Sequence, residues 1–130
     1  MQQDPAYDDV VGEVRAYLAA RVEAAGIERS RVYVDPGIGF GKTLNHNLAL
    51  MQGLEALRID GTRVLLGASR KTFLGRLTGR DVPAERIAAS LACVVRGAEA
   101  GVDAIRVHDV ADSRDILAVY SRIGRGRDAK

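Results

Sequence analysis

Arg31-Val-Tyr-Val-Asp-Pro-Gly-Ile-Gly-Phe-Gly-Lys-Thr43 decides how the rest of the chain is read. Its first half, Arg31–Asp35, is a short β-branched run stopped by Pro36-Gly37, which predicts a strand. A glycine-rich loop follows, and then a helix is expected from about Asn45, with Leu50, Leu54 and Leu57 on one stripe. The same alternation extends in both directions. Upstream, Val10, Val14, Leu18 and Val22 recur at i, i+4, with Asp8 or Asp9 as a cap and Gly26 as a stop. Downstream, Arg63-Val-Leu-Leu-Gly67 reads as a second strand and ends in Ala-Ser-Arg-Lys71. A long helix is expected from Pro83 with Ile87, Leu91, Val94 and Ala98 on its apolar face, closed by Gly101. Ala104-Ile-Arg-Val-His108 is the third strand, and a last helix places Ile116, Val119, Tyr120 and Ile123 on a stripe. Residues 124–130 carry no apolar face and are expected to fray, leaving 1–123 ordered within one domain spanning 1–130.

Strands alternating with helices imply βαβ units and a parallel sheet with right-handed crossovers. In such sheets reactive residues gather beyond the carboxyl ends of the strands, in barrels and in doubly wound folds alike. A complete (β/α)8 barrel takes roughly 250 residues, whereas this chain has 130. Three parallel strands alone would leave sheet edges and half of the apolar surface uncovered.

Composition narrows the function classes. Nineteen Lys plus Arg against seventeen Asp plus Glu give a net charge of +2, too small an excess for a dedicated nucleic-acid binder. Hydrophobic residues at 47% and charged ones at 28% describe an ordinary folded domain. Apolar runs stop at about five residues, so no membrane span is expected. The start, Met-Gln-Gln-Asp-Pro-Ala-Tyr-Asp-Asp, lacks the basic-then-apolar order of a secretory signal. A single cysteine, Cys93, cannot form an internal disulfide, which fits a reducing, cytoplasmic setting, and its place in an apolar helix predicts a small buried hydrophobe.

The loop Val34–Thr43 invites a phosphate-loop reading, but the spacing fails. Counting back from Gly41 puts Pro36 where the first glycine must be, and proline has no N–H to donate. Gly37, Gly39 and Gly41 also miss the dinucleotide spacing. What remains is Asp35 at a strand end. Its carboxylate can accept two parallel N–H bonds from a planar ligand, or it can cap its own turn. Phe40 is either a core plug or an exposed stacking face.

At the second strand end, Ser69 and Lys71 face the same way in extended backbone, with Arg70 opposite. Lys71 is a donor to a ligand or an ordinary surface charge, and Thr72 could open a helix turn with free N–H groups. At the third, Arg106 and His108 project from one face and suit a diphosphate, or each is a satisfied structural partner, with Asp109 available to either. The other histidine, His46, reads as part of a helix start, with Asn45 and Asn47 as possible caps. No metal set is expected from these residues.

Taken in order, Asp35-Pro-Gly-Ile-Gly-Phe-Gly-Lys42, Gly67-Ala-Ser-Arg-Lys71 and Arg106-Val-His-Asp-Val110 resemble the dihydropteroate synthase family. The resemblance runs from about Tyr7 to Tyr120. It implies the C-terminal half of a (β/α)8 TIM barrel, about three parallel strands with four helices. It also implies a transferase of folate synthesis that condenses (7,8-dihydropterin-6-yl)methyl diphosphate with p-aminobenzoate. By that resemblance Asp35 would bind the donor edge of the pterin, Lys71 would donate to its ring, and Gly67 would pack close to the same pocket. Arg106 would cover the pterin face and, with His108, hold the diphosphate. Phe40 and Thr72 would help to form the p-aminobenzoate site.

Lys71, Arg106 and His108 are then the expected catalytic set. The family's Mg2+ is expected to take its protein ligand from the other half of the barrel. A homodimer, or a complementing N-terminal half, is the expected partner, and the chain alone is expected not to turn over. The competing reading is a non-enzymatic pterin- or phosphate-binding half-barrel that assembles with itself or with a partner chain.

Overall fold

The computed structural model describes residues 6–124; the frayed-tail expectation for residues beyond 124 lies outside them. Eight main elements alternate: α1 (Val10–Ala25), β1 (Tyr33–Val34), α2 (Leu44–Gln52), β2 (Arg63–Leu66), α3 (Thr72–Thr78), α4 (Ile87–Ala100), β3 (Ala104–Ile105) and α5 (Val110–Ile123). The strands form one parallel sheet in the order β1-β2-β3, with Tyr33 opposite Arg63 and Leu66 opposite Ile105. The α/β half-barrel architecture is therefore the one expected, with five α-helices in place of four.

α1 forms as its sequence dictates. The Asp9 carboxylate accepts the Gly12 N–H, worth about 1 kcal/mol at such a position, and Val10, Val14 and Val22 are buried. Gly26 closes the helix in the left-handed conformation. Along β2, Val64 and Leu66 are buried while Arg63 is exposed and Leu65 partly so. The larger core cluster joins Val10, Leu50, Leu54, Leu57, Leu66, Phe73, Leu74 and Cys93, and a smaller one joins Val22, Val34, Ile59 and Val64. Cys93 is a buried free thiol, and burial pushes it up to about 11.

Several boundaries differ from expectation. Arg29–Arg31 is a 3-10 turn, so β1 begins only at Tyr33. Leu54 and Leu57 are buried as predicted but lie in a separate 3-10 turn, because α2 ends at Gln52. Pro83–Glu85 is a 3-10 turn too, and α4 starts at Ile87. The ladder of β3 stops at Ile105, well short of His108. On α5 the expected apolar stripe stays largely uncovered: Val119 and Ile123 are exposed, and the buried residue is Ser113.

Candidate functional site

All three strands run in the same direction, so the segments after Val34, Leu66 and Ile105 emerge at one rim of the sheet. The segments that leave that rim carry Asp35, Phe40, Gly67, Lys71, Thr72, Arg106 and His108. In the first loop, Asp35 Oδ1 accepts the Gly37 N–H at 2.8 Å. One carboxylate oxygen thus shapes the turn, and the side chain remains exposed. Gly37 and Gly39 have φ of 71° and 89°, a region where a side chain would be strained. A Cβ on Gly39 would also stand 3.0 Å from Lys71 Cδ, so the glycine lets the lysine lie along the loop.

Buried Asn47 accepts the Gly39 N–H at 2.8 Å, and Lys42 Nζ donates to the Gly37 and Phe40 carbonyls at 2.9 and 2.8 Å. Phe40 is 67% exposed, with the Lys71 ammonium 4.4 Å from its ring centroid. The exposed-face alternative for Phe40 is the one realised. The cap of α2 is Thr43: its hydroxyl accepts the His46 N–H while His46 Nδ1 accepts the Thr43 N–H. Asn45 and Asn47 do not serve that role.

The second strand end is a turn and not extended backbone. Arg70 has φ of 59°, and the Lys71 N–H reaches the Ala68 carbonyl at 3.3 Å. The alternating-face expectation for Ser69, Arg70 and Lys71 therefore does not apply. Ser69 Oγ lies 2.8 Å from His108 Nδ1, which ties the second strand end to the third. Lys71 Nζ donates to the Ile38 carbonyl. Arg70 pairs with Asp109 at 2.7 Å, so Asp109 partners neither Arg106 nor His108 in the way expected. Arg106 Nη1 lies 3.0 Å from His108 Nε2. Gly67 leaves open space: a Cβ there would meet nothing nearer than Arg106 Cβ at 3.9 Å.

Electrostatics connect the three strand ends. Desolvation holds the Lys71 ammonium below its usual pKa, opposed by the Asp35 carboxylate and reinforced by the Arg106 guanidinium. Lys42 is likewise lowered by burial, with Asp35 and Lys71 acting on it in opposite senses. His108 is lowered by desolvation first, then by Arg106 and Arg70, against the raising effect of Asp109. Two half-open hollows flank this cluster. One of about 420 Å³ is lined by Phe40, Lys42, Lys71, Thr72 and Arg76. Another of about 410 Å³ is lined by Tyr7, Tyr17, Asp35 and Lys42. Arg106 and His108 line neither of these two, and they join the cluster through Ser69 and through the charge of Arg106 acting on Lys71.

Sequence reasoning missed the scaffold beneath. Arg86 is buried and donates to three backbone carbonyls, Arg70, Arg80 and Asp81, at 2.8–2.9 Å. Ser90 Oγ accepts the Arg70 N–H at 2.8 Å. These bonds fix the left-handed turn that aims Lys71. Nothing in the composition marks Arg86 as buried; the one available cue is its place just before a long apolar helix.

The chain matches the family described as pterin binding enzyme over residues 1–108. It is 45% identical over 130 residues to the dihydropteroate synthase of Neisseria meningitidis serogroup B, covering 95% of this chain and 46% of that protein. Among solved structures, the dihydropteroate synthase of Stenotrophomonas maltophilia with active-site-bound imidazole aligns with a TM-score of 0.91 and 43% identity. That alignment covers 98% of this chain and 49% of the other. The Xanthomonas albilineans dihydropteroate synthase in complex with 7,8-dihydropteroate aligns with a TM-score of 0.87 and 41% identity, covering 96% and 49%. The chain thus spans about half the length of the relatives it matches.

Proposed function

The chain belongs to the family of pterin-binding enzymes, and from that premise we propose that it supplies the C-terminal half of a dihydropteroate synthase barrel. The reaction would condense (7,8-dihydropterin-6-yl)methyl diphosphate with p-aminobenzoate, releasing diphosphate. The observation that carries the reading is geometric: the three parallel strands deliver their loops to one rim, where Gly39 of the first loop lies against Lys71 and Ser69 of the second bonds His108 after the third.

Departure of diphosphate leaves a methylene cation conjugated to the pterin; the aryl amine attacks that carbon, and the resulting ammonium loses one proton to solvent or to the departing diphosphate. The protein's part is electrostatic, with no covalent nucleophile. Arg106 and His108 hold the leaving diphosphate, a task suited to a planar donor fork beside an imidazole. The Asp35 oxygen not engaged by Gly37 accepts from the amino edge of the pterin, and Lys71, whose ammonium has three donors, gives one to the ring. Gly67 leaves room for the ring plane. Phe40 and Thr72 border the space assigned to p-aminobenzoate, which is large enough for a benzoate ring.

Magnesium belongs to the same reading, but among the described residues no group of three or more His, Cys, Asp or Glu could hold a metal ion. Its protein ligand is proposed to come from the other half of the barrel, and no step here passes through it. A homodimer is proposed on the exposed Val119 and Ile123 of α5. A cytoplasmic setting is proposed on the free buried thiol of Cys93. No helix among the described residues is long and apolar enough to cross a membrane.

The test is a steady-state assay of diphosphate release. The 130-residue chain alone should give none, and adding a separately expressed complementary half-barrel should restore turnover. Turnover by the chain alone at the rate of a whole barrel would refute the half-barrel reading. Binding of ATP in preference to the pterin diphosphate would refute the assignment of Asp35.

A further inference from the structure

Gly41-Lys42-Thr43 has the look of a phosphate-binding turn, but both side chains turn back onto their own backbone. Thr43 caps α2. Lys42 is half-buried and folds into the glycine loop that precedes it. Its ammonium donates to the Gly37 carbonyl at 2.9 Å and to the Phe40 carbonyl at 2.8 Å. The Gly37 carbonyl also accepts the Phe40 N–H at 3.1 Å, so both of its lone pairs are used. The N–H of Gly37 is held in turn by Asp35 Oδ1. A continuous path of bonds therefore runs from the Asp35 carboxylate through Gly37 and Lys42 to the backbone of Phe40.

The glycine spacing fits this arrangement. A Cβ on Gly37 would stand 3.3 Å from Lys42 Nζ, and one on Gly39 would stand 3.0 Å from Lys71 Cδ, so each glycine admits one lysine to the loop. Lys42 lines both hollows, the one that holds Asp35 and the one that holds Phe40. We propose that Lys42 is a positioning residue: its ammonium clamps the Gly37 and Phe40 carbonyls and so fixes the Phe40 ring relative to the Asp35 carboxylate. The functional meaning rests on the reading above, in which Asp35 meets the pterin and Phe40 borders p-aminobenzoate; the clamp itself does not. With the clamp in place, less ordering is left to be done when either ligand binds. Without it the loop, whose Gly37, Gly39 and Gly41 all have positive φ, is free to relax and carry the Phe40 ring away.

The unaltered chain reads the clamp directly. In a labelled sample, at a temperature and pH where ammonium protons exchange slowly, Lys42 Nζ should couple across its hydrogen bonds to the carbonyl carbons of Gly37 and Phe40. Absence of those couplings overturns the proposal with no substitution made. Lys42→Met keeps the stem and removes every donor. The Lys71 ammonium lies 4.4 Å from the Phe40 ring centroid, so the ring imposes an upfield shift on the Lys71 ε-methylene, and that shift should collapse in Lys42→Met. Affinity for pterin methyl diphosphate and for p-aminobenzoate should each fall about tenfold, the net worth of about one hydrogen bond to a charged group. Lys42→Arg, which still donates to both carbonyls, should retain the shift and both affinities. A retained ring-current shift in Lys42→Met, or a loss confined to one ligand, overturns the positioning role. Failure of the unaltered chain to bind either ligand would count against the reading of the site alone, since the couplings and the ring-current shift are read without ligand.

Discussion

At His108 the sign of the pH dependence follows from what surrounds the ring. Desolvation, Arg106 and Arg70 hold its pKa below 6.5 in the free chain. A bound anion favours the imidazolium, so binding is linked to proton uptake. Diphosphate affinity should rise as pH falls through the interval between the raised bound value and the lowered free one. Calorimetry in buffers of differing ionisation enthalpy measures that uptake. In His108→Asn the uptake should shrink to the part owed to the phosphate itself; an unchanged value would remove His108 from the site.

Gly67 offers a cleaner separation of fold from site. Its φ is not left-handed, and a Cβ would make only an ordinary contact at 3.9 Å. Gly67→Ala should raise stability by about 0.5 kcal/mol by restricting the unfolded chain. If a pterin lies against that position, affinity should fall about tenfold, the equivalent of about 1.4 kcal/mol. Urea denaturation and pterin titration of the same variant check both, and unchanged affinity would move the ring elsewhere.

Among the elements, α3 was the one hardest to read from the sequence. Thr72-Phe-Leu-Gly-Arg-Leu-Thr78 is short and has a glycine at its centre, so local propensity argues against a helix. Tertiary bonds decide the matter. Arg86 holds the Arg80 carbonyl, which would lie 2.5 Å from a Cβ on Gly75. Gly75→Ala should therefore destabilise by about 2 kcal/mol, an overpacking effect that denaturation would show. By contrast α1 was legible, because the valine spacing, Gly26 and an aspartate at its start all point the same way; the structure picks Asp9 over Asp8 as the cap.

The strands were legible as runs but not in extent. β-branched composition says where extended backbone is favoured, whereas parallel pairing commits only two residues of β1 and two of β3. The positions of Asp35, Lys71, Arg106 and His108 at one rim followed from that alternation alone. The turn at Arg70 did not, since it depends on Arg86 and Ser90, remote in sequence and silent in pattern.

Asp103 anchors the opposite rim. The Val64 N–H, foremost, and then Arg58 hold its carboxyl below 3.8. A depressed carboxylate stabilises the fold above its unfolded value, and that contribution is lost as pH falls through the folded one. Asp103→Asn should therefore flatten the acid limb of a stability–pH curve below about 3.8.

For the whole molecule, the claim is that three loops from three parallel strands act as one pocket for one ligand. Tyr33 and Arg63, which pair across β1 and β2, are exposed. Binding by this chain is expected to be weaker than by a complete barrel, and turnover is expected only when the other half is present. An amide titration of the labelled chain with a pterin methyl diphosphate tests the central claim most directly. Gly37, Lys71, Arg106 and His108 should shift together and saturate with a single Kd. Shifts confined to one loop, or different Kd values at the three strand ends, would contradict it.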